Sequence, residues 1–276
     1  SGSRWVIDFN DRSRDNATSY RLPYARVVNV VKPERLKNND AGARDYWWRF
    51  LRPRPEMRRA IGGLDEVLAI TLVSRTVMPV RVPTDQVFSH AVGVFATNSH
   101  AGQSVLSSSA HQTWAIKHGS GMRNDPRYTP SDVFETFPRP RESDRLALIG
   151  RTIDAERREI MLRRDLGLTK LYNLVNDPQI PDASDPDVAR MRAIHVELDQ
   201  AVMDAYGWSD IPLDHGFHTY RQMQRWTVSP AARVEILDRL LEENHQRAAE
   251  EAKAAKPKGE TPRGPNVSEA QATLFA

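Results

Sequence analysis

The stretch RYTPSDVFETFPRPRES, residues 127–143, separates two parts of the chain that differ in sequence pattern. At its centre is Phe137-Pro138-Arg139-Pro140, and prolines so closely spaced are excluded from helix interiors and central strands. Runs typical of strands precede it, mixed with short helical patterns, and amphipathic helical patterns follow it. The sequence therefore predicts an α+β fold, with a small mixed sheet and helices in residues 1–140 and an all-α segment in residues 141–252.

The strand patterns lie between residues 64 and 98, where EVLAITLVS, TVMPVRVP and VFSHAVGVFATN are rich in β-branched residues. RWVIDF (4–9) predicts a further strand, because apolar and polar residues alternate in it. SSSAHQTWAIK (107–117) predicts a helix capped by a serine. GSGMRNDPRYTPSD (119–132) combines Gly, Asn, Asp and Pro and predicts a loop.

Helical periodicity dominates after Pro140. In residues 143–167 the apolar side chains recur at spacings of three, four and seven, and residues 187–208 repeat this pattern. A third helix is predicted to begin at Ser229-Pro230, with a serine cap and a proline in the first turn. The tail, residues 253–276, is polar and contains Pro and Gly, which predicts disorder.

Composition excludes several classes of protein. The chain has 276 residues and no cysteine, so it can hold neither a disulfide nor a thiolate metal site. No run of about 18 apolar residues occurs, which predicts no membrane span. Residue 1 is Ser, and the first residues lack the apolar segment of a signal peptide. We expect the interior or C-terminal part of a longer, cytoplasmic polypeptide.

Charge is distributed unevenly along the chain. Residues 1–60 carry 14 Lys and Arg against 7 Asp and Glu, whereas residues 141–276 carry 19 against 23. Aromatic residues are interleaved with the basic ones there: Trp5, Tyr20, Tyr24, Tyr46, Trp47, Trp48 and Phe50. Basic groups interleaved with aromatic rings suit a phosphate backbone and exposed bases. A solvated charged face over an ordinary aromatic core is the alternative that composition leaves open.

Ser107, His111 and Asp125 could be read as parts of a hydrolase triad. The serine lacks the GxSxG turn that exposes such a nucleophile, and serine caps beside a histidine are common in helices. HGFH (215–218) has a metal-ligand spacing without further ligands, so these histidines are interpreted as structural or surface residues. No metal site is predicted.

Two further elements resemble catalytic motifs only in part. Asp8 lies in the predicted first strand, but no Glu-x-Lys partner of a nuclease site follows it. Asn176-Asp177-Pro178-Gln179 lacks the second proline and the aromatic residue of an Asn-Pro-Pro-Tyr loop, and that aromatic ring is needed to stack on a flipped base. No glycine-rich cofactor turn follows a strand. The sequence therefore predicts no catalytic residue and no bound cofactor in this chain.

Several stretches, taken together and in order, resemble one family. They are RWVIDF (4–9), VKPER (31–35), YWWRFLRPRPEMRRAI (46–61), VLSSSAHQTWA (105–115), RYTPSDVFETFPRP (127–140), LGLTKLYN (166–173), LDQAVMDAYGW (198–208) and LLEENHQRAAEEA (240–252). This combination is similar to the C-terminal part of single-chain DNA methyltransferases, the MmeI-like restriction-modification enzymes and their relatives in phage-defence systems such as DISARM and BREX.

The resemblance implies a division of labour within a longer protein. Residues 1–140 would be the DNA target recognition domain, and residues 141–252 the C-terminal helical domain. The family's catalytic domain lies N-terminal to these, binds S-adenosylmethionine and methylates adenine N6. The implied partners are double-stranded DNA, that methyltransferase domain of the same polypeptide and other subunits of a bacterial defence system. This chain alone would be inactive.

The resemblance also implies which residues meet DNA. Base reading in the MmeI-like enzymes involves a charged pair before an Arg-Tyr-Ser element, which here corresponds to Arg123 and Asp125 before Arg127-Tyr128-Thr129. Arginine can bind guanine O6 and N7, and aspartate can accept from cytosine N4. A turn held by mutual pairing of Arg123 and Asp125 is the alternative. The predicted phosphate contacts are Arg49, Arg52, Arg54, Lys117 and Arg127.

Two other functions stay open from the sequence. One is a scaffold that docks partner subunits of a defence complex through its acidic helices and does not read DNA. The other is a self-contained hydrolase that uses Ser107 and His111. His111 and Trp114 are interpreted instead as residues that hold their helix against the sheet.

Overall fold

The computed structural model describes residues 5–122, 125–220 and 223–254, and these residues form an α+β fold, as predicted. Among them, five short helices precede the first strand. In chain order they are α1 (Arg14–Thr18), α2 (Arg21–Val30), α3 (Lys32–Arg35), α4 (Ala41–Asp45) and α5 (Pro55–Ile61). A small aromatic core of its own joins α1 and α2 to Ile7 and Phe9 before them and to Trp47 and Trp48 after α4.

The first residues do not form the strand predicted for RWVIDF. The described part of that stretch, residues 5–9, is extended but pairs with no neighbouring strand. Phe9 is buried instead in the aromatic core, where its ring meets Tyr24 edge-on at 6.2 Å and lies near the buried Trp47. The alternation of apolar residues therefore reflects packing against helices, which tertiary contacts decide.

The three runs between residues 64 and 98 form the sheet, as predicted. Its strands are β1 (Glu66–Thr71), β2 (Val80–Pro83) and β3 (Val92–Phe95), in the order β2-β1-β3. Both pairings are antiparallel. This sheet therefore does not combine parallel and antiparallel strands, as the predicted mixed sheet would. Residues 67–70 of the central strand are all buried, because both faces of the sheet are covered.

Two helices and a hairpin follow the sheet. They are α6 (His100–Ser107), α7 (Ser109–His118), β4 (Ser120–Met122) and β5 (Asp125–Arg127), followed by the single turn α8 (Pro130–Val133). The predicted serine cap of α7 is Ser108, whose hydroxyl oxygen accepts from the backbone N–H of His111 at 3.2 Å. The prediction of a loop over 119–132 was wrong, because residues 120–122 pair with residues 125–127 as antiparallel strands.

The C-terminal part is helical with one exception. Its elements are α9 (Asp144–Arg163), α10 (Leu168–Val175), α11 (Pro186–Tyr206), β6 (Gly216–Tyr220), β7 (Met223–Thr227) and α12 (Pro230–Ala254). The antiparallel hairpin β6-β7 was not predicted, since its residues carry no β-branched run and no Asn-Gly turn. The predicted cap of α12 is confirmed: the Ser229 hydroxyl accepts from the N–H of Ala232 at 3.2 Å.

The main hydrophobic core extends across the Phe-Pro-Arg-Pro element without a break, from Leu68 in β1 to Leu240 in α12. The element is held by hydrogen bonds from both long C-terminal helices. The Tyr206 hydroxyl donates to the Pro138 carbonyl at 2.7 Å, and the Arg247 guanidinium donates to the Arg139 carbonyl at 2.7 Å. The Phe-Pro-Arg-Pro connection is therefore fixed against α11 and α12, while the division into domains at residue 140 stays a prediction.

The tail predicted to be disordered, residues 253–276, lies outside the described residues except for its first two, which end α12. No described helix is long and apolar enough to cross a membrane.

Candidate nucleic-acid interface

The β4-β5 hairpin includes Asp125 and Arg127 of the predicted DNA contacts, and it is attached to residues 72–74, which follow the central strand β1. Val73 forms an antiparallel bridge with Arg127, and the Ser74 N–H donates to the Pro126 carbonyl at 3.3 Å. The Tyr128 N–H donates to the Leu72 carbonyl at 2.7 Å. The hairpin is therefore positioned by backbone hydrogen bonds from the chain that leaves β1.

A buried histidine and tyrosine fix the base of the hairpin from below. The Tyr128 hydroxyl lies 2.9 Å from His111 Nε2, and His111 Nδ1 lies 2.8 Å from the Leu106 carbonyl. Since a carbonyl only accepts, Nδ1 carries the proton and Nε2 accepts from the tyrosine. Complete burial lowers the pKa of His111 to about 4, which keeps the ring neutral. The predicted structural role of His111 is confirmed.

The turn between α7 and β4 requires glycine. An added Cβ at Gly119 would lie 2.5 Å from the Ala115 carbonyl oxygen and 2.7 Å from that of Arg127. Real Cβ atoms do not approach backbone oxygens so closely, so only glycine lets the chain pass between α7 and β5. The GSG sequence, which contributed to the prediction of a loop, is thus the start of the hairpin.

The predicted base-reading pair belongs to this hairpin. Arg123 and Asn124, which connect the two strands, lie outside the described residues. The backbone of Asp125 begins β5, where it pairs with Met122. Lys117 and Arg127 flank the base of the hairpin, and both side chains are exposed. The structure thus places two predicted phosphate contacts at the base of the hairpin.

Arg52 and Arg54 lie elsewhere, on a groove of about 960 Å³ between α5 and the loop that joins β2 to β3. Arg54 immediately precedes α5 and has a left-handed backbone, with φ 52°. Nothing in the sequence brings this groove to attention, because its second wall, residues 84–90, is remote in the chain. Phe50 and Leu51, which precede the arginines in the chain, are apolar residues that the fold leaves exposed.

Arg49, the remaining predicted phosphate contact, is part of the N-terminal aromatic cluster. Its guanidinium lies 5.0 Å from the centre of the Tyr46 ring and 5.3 Å from that of Trp48. Its Nε donates to the Arg12 carbonyl at 2.9 Å. These contacts orient the side chain, and its role toward phosphate stays a prediction.

The residues considered for hydrolase chemistry are not arranged for it. Both ring nitrogens of His111 are engaged with Leu106 and Tyr128, which leaves none for Ser107. The Ser107 hydroxyl is buried without a hydrogen-bond partner among the described residues.

The remaining motif residues have structural partners. Asp8 pairs with Arg58 at 2.6 Å, and the Asn176 side chain accepts from the backbone N–H of Trp226 at 3.0 Å. His215 of the HGFH motif lies 2.8 Å from Asp199, while His218 contacts the Asp214 carbonyl. Across the described part of the chain, no group of three or more potential metal-ligating side chains comes together.

A second histidine, the half-buried His195, also contacts a tyrosine hydroxyl. His195 Nε2 lies 2.8 Å from the Tyr172 hydroxyl, and burial lowers the pKa of His195 to about 4. The folded pKa of both rings is thus below the unfolded value of about 6.5. Their neutral forms stabilise the fold fully above pH 6.5, and this stability is lost as the pH falls from about 6.5 to 4.

We therefore expect acid to weaken the fold by about 3 kcal/mol for each of these histidines. Urea unfolding between pH 7.5 and 4 measures the loss, and His195→Gln should make the pH dependence less steep. His245→Gln, at an exposed position of α12, is the matched control and should leave the slope unchanged. An identical slope in wild type and His195→Gln would contradict the prediction.

No family model and no curated protein matches this sequence. A solved structure that does match is that of the Type IIL restriction-modification enzyme MmeI in complex with DNA. The two chains share a fold. The match has a TM-score of 0.56 at 18% sequence identity, and it covers 89% of this chain and 29% of that chain. The chain thus spans less than a third of the MmeI chain, and nothing in this likeness extends to the DISARM or BREX systems.

Proposed function

We propose that this chain is the DNA-sequence-recognition portion of a site-specific DNA methyltransferase in a restriction-modification or phage-defence system. The observation that carries the proposal is the β4-β5 hairpin, which is anchored to residues 72–74 after β1 and flanked by the exposed Lys117 and Arg127. The fold is shared with MmeI, whose structure was solved in complex with DNA. The MmeI-like branch of the predicted family is the one that this likeness favours.

Recognition in this proposal divides between two kinds of contact. Lys117 and Arg127 bind phosphates and set the position of the hairpin on the duplex, while Arg123 and Asp125 bind base edges. Reading a base edge requires the side chain to be placed within about 0.5 Å, which favours a site on rigid elements. The backbone bonds at Leu72 and Ser74 and the buried Tyr128 supply that rigidity.

The chemistry of methyl transfer belongs to another part of the same polypeptide. In the proposal, an N-terminal domain binds S-adenosylmethionine, takes the target adenine out of the duplex and methylates N6, in the bacterial cytoplasm. The described residues fit this division in one respect, because Ser107 and His111 of the candidate triad are not hydrogen-bonded to each other. Methylation of adenine by the full-length polypeptide, and none by residues 1–276 alone, is the expected result.

The acidic helices give little support to the alternative of a docking scaffold. Several of their carboxylates pair within the chain: Asp185 with Arg164 at 2.9 Å, and Asp210 with Arg239 at 2.6 Å. Arg190 pairs likewise with Glu156 at 3.2 Å. Acidic groups neutralised in this way offer little charge to a partner surface.

The proposal is tested by selecting preferred duplexes from a randomised library and titrating the binding with salt. We expect affinity to fall steeply with salt, and Arg123→Ala to lose about 1–3 kcal/mol at one base position while the rest of the selected site is unchanged. Arg127→Ala is the matched control, expected to weaken all sequences equally and to lower the salt slope by about one.

A salt-independent affinity would favour the scaffold and contradict the proposal. A uniform loss in Arg123→Ala would leave DNA binding in place but reassign Arg123 to phosphate.

A further inference from the structure

The groove between α5 and the β2-β3 loop has walls that are tied to one strand. One wall, α5, leads directly into β1, and the Leu64 N–H donates to the Ile61 carbonyl at 3.0 Å. The other wall begins at Thr84. Its hydroxyl donates to the Leu64 carbonyl at 2.6 Å, and its N–H donates to the Asp65 backbone carbonyl at 3.0 Å. Both walls are therefore hydrogen-bonded close to the start of β1, so the groove is a fixed part of the fold.

Its charge is strongly positive. Four arginines line it, Arg35, Arg52, Arg54 and Arg58, against a single acidic residue, Asp85. Arg58 is neutralised by Asp8 beneath the groove, at 2.6 Å. No carboxylate of residues 5–122, 125–220 or 223–254 lies within ion-pair distance of the other three arginines. Three uncompensated guanidinium groups along one groove favour a polyanion.

Exposed apolar side chains line the same groove. Phe50 is 40% exposed, Leu51 43% and Val87 39%, and Phe88 lies beside them. A DNA duplex hides the faces of its bases within the stack, so it offers phosphates to such a groove but little apolar surface. A single strand offers both, and base stacking on aromatic rings together with a basic track is how proteins hold single strands.

The backbone at the entrance is held in a strained conformation. Arg54 has φ 52° and ψ 59°, in the left-handed region that costs a non-glycine residue free energy. Pro53 and Pro55 flank it, and the Pro53 carbonyl accepts from Arg58 Nε at 2.9 Å. An arginine kept in this conformation, where asparagine or glycine would be less strained, indicates that its guanidinium is used.

We propose that this groove binds unstacked, single-stranded DNA, with bases against Phe50 and Phe88 and phosphates on Arg35, Arg52 and Arg54. It is a second DNA site, separate from the hairpin in the chain and formed by different elements. The inference rests on the proposed function in one respect, the choice of DNA as the polyanion. A strand opened beside the recognised sequence is the form of DNA that this site fits.

The test is fluorescence anisotropy of a labelled twelve-residue thymidine oligonucleotide titrated with the full chain. We expect saturable binding that weakens about tenfold in Phe50→Ala and about tenfold in Arg54→Asn. Asparagine is chosen because it tolerates the left-handed backbone, so that charge is lost without further strain.

Two controls match these variants outside the groove. Arg59→Gln removes an equal charge from an exposed position of α5, and Trp5→Ala removes a fully exposed aromatic ring. Both should bind the oligonucleotide like the wild type. Equal losses in the controls, or no binding of the oligonucleotide at all, overturn the inference.

Duplex binding measured on the same samples separates this inference from the proposed function. Duplex affinity that depends on Arg127, with no single-strand binding, leaves the proposed function standing and removes the groove site. If the wild-type protein binds neither the duplex nor the single strand, the proposed function and the groove site are both rejected.

Discussion

An alanine at position 150 is expected to destabilise the fold by about 3 kcal/mol or more, although Gly150 lies in the middle of helix α9. At an open position in a helix the same change stabilises, because glycine costs about 1 kcal/mol relative to alanine. Here the added Cβ would lie 1.9 Å from the His100 carbonyl oxygen, 2.7 Å from its carbon and 2.8 Å from the Ser104 hydroxyl. Two of these three atoms belong to the backbone of α6 and cannot turn aside.

Relief of this overlap must separate α6 from α9. Ser104 donates to the Leu146 carbonyl across that interface at 2.6 Å, and this bond would be broken as the helices part. Leu146 and Ile149 on the same face of α9 belong to the main core, and they would lose contacts with α6. The loss in the free energy of unfolding should therefore exceed that of a substitution that only overpacks one side chain in the core.

Urea unfolding of Gly150→Ala measures the change in the free energy of unfolding. Gly63→Ala is the control, because a Cβ there meets no atom within 4 Å and the backbone is not left-handed. That variant should be within about 0.5 kcal/mol of the wild type. A neutral or stabilising Gly150→Ala would show that helix propensity, and not close packing of α6 on α9, decides this position.

The elements with strong periodicity were the ones predicted correctly. The apolar runs of β1 and the spacing of Leu146, Ile149 and Ile153 in α9 each specify one buried face, and the serine caps of α7 and α12 mark their starts. Local pattern decides these elements because burial and capping act within a few residues.

The errors concern segments whose partners are distant in the chain. The β4-β5 hairpin reads as a loop, because the bonds that hold it come from Leu72 and Ser74, about fifty residues earlier. RWVIDF alternates like a strand, yet its Phe9 packs on Tyr24 in a helix. Single-sequence patterns carry no information on such partners, so tertiary contacts override them.

For the candidate interface, too, the sequence predicted local features and missed those that depend on residues distant in the chain. Lys117 and Arg127, both predicted as phosphate contacts, flank the base of the hairpin because its register pairs Ser120 with Arg127. The groove was beyond prediction as a site, because the loop at residues 84–90 is held beside α5 by bonds from Thr84 to Leu64 and Asp65, about twenty residues earlier in the chain. The sequence predicted Arg52 and Arg54 as phosphate contacts, but it did not show the exposed apolar side chains that line the same groove.

The second large effect is expected at Arg192, a charged residue that is almost completely buried in α11. Its guanidinium donates to three backbone carbonyls of the preceding loop, those of Val175, Asp177 and Ile180, at 2.8–3.1 Å. It also lies over the Phe217 and Trp226 rings of the β6-β7 hairpin, at 4.8 Å and 5.3 Å from their centres. One side chain thus joins a helix, a loop and a hairpin.

Arg192→Met should cost about 3–5 kcal/mol of stability, because it leaves buried carbonyls without donors while it preserves most of the apolar volume. Arg192→Lys should recover little, since an ammonium cannot donate along three fixed directions as a planar guanidinium does. Arg190→Met on the same helix is the matched control. Its partners Glu156 and Glu197 are half-exposed, and removal of such surface pairs costs about 1 kcal/mol or less.

Urea unfolding gives the three free energies, and amide hydrogen exchange locates the damage. We expect protection to fall first in residues 176–182 and in β6-β7, because these segments are tied to α11 through Arg192. The described residues of β4 and β5 have no bond to Arg192, so their exchange should change only with global unfolding. Equal losses in Arg190→Met and Arg192→Met, or an unchanged exchange pattern in residues 176–182, would mean that the apolar contacts of α11 hold this loop and hairpin without the guanidinium.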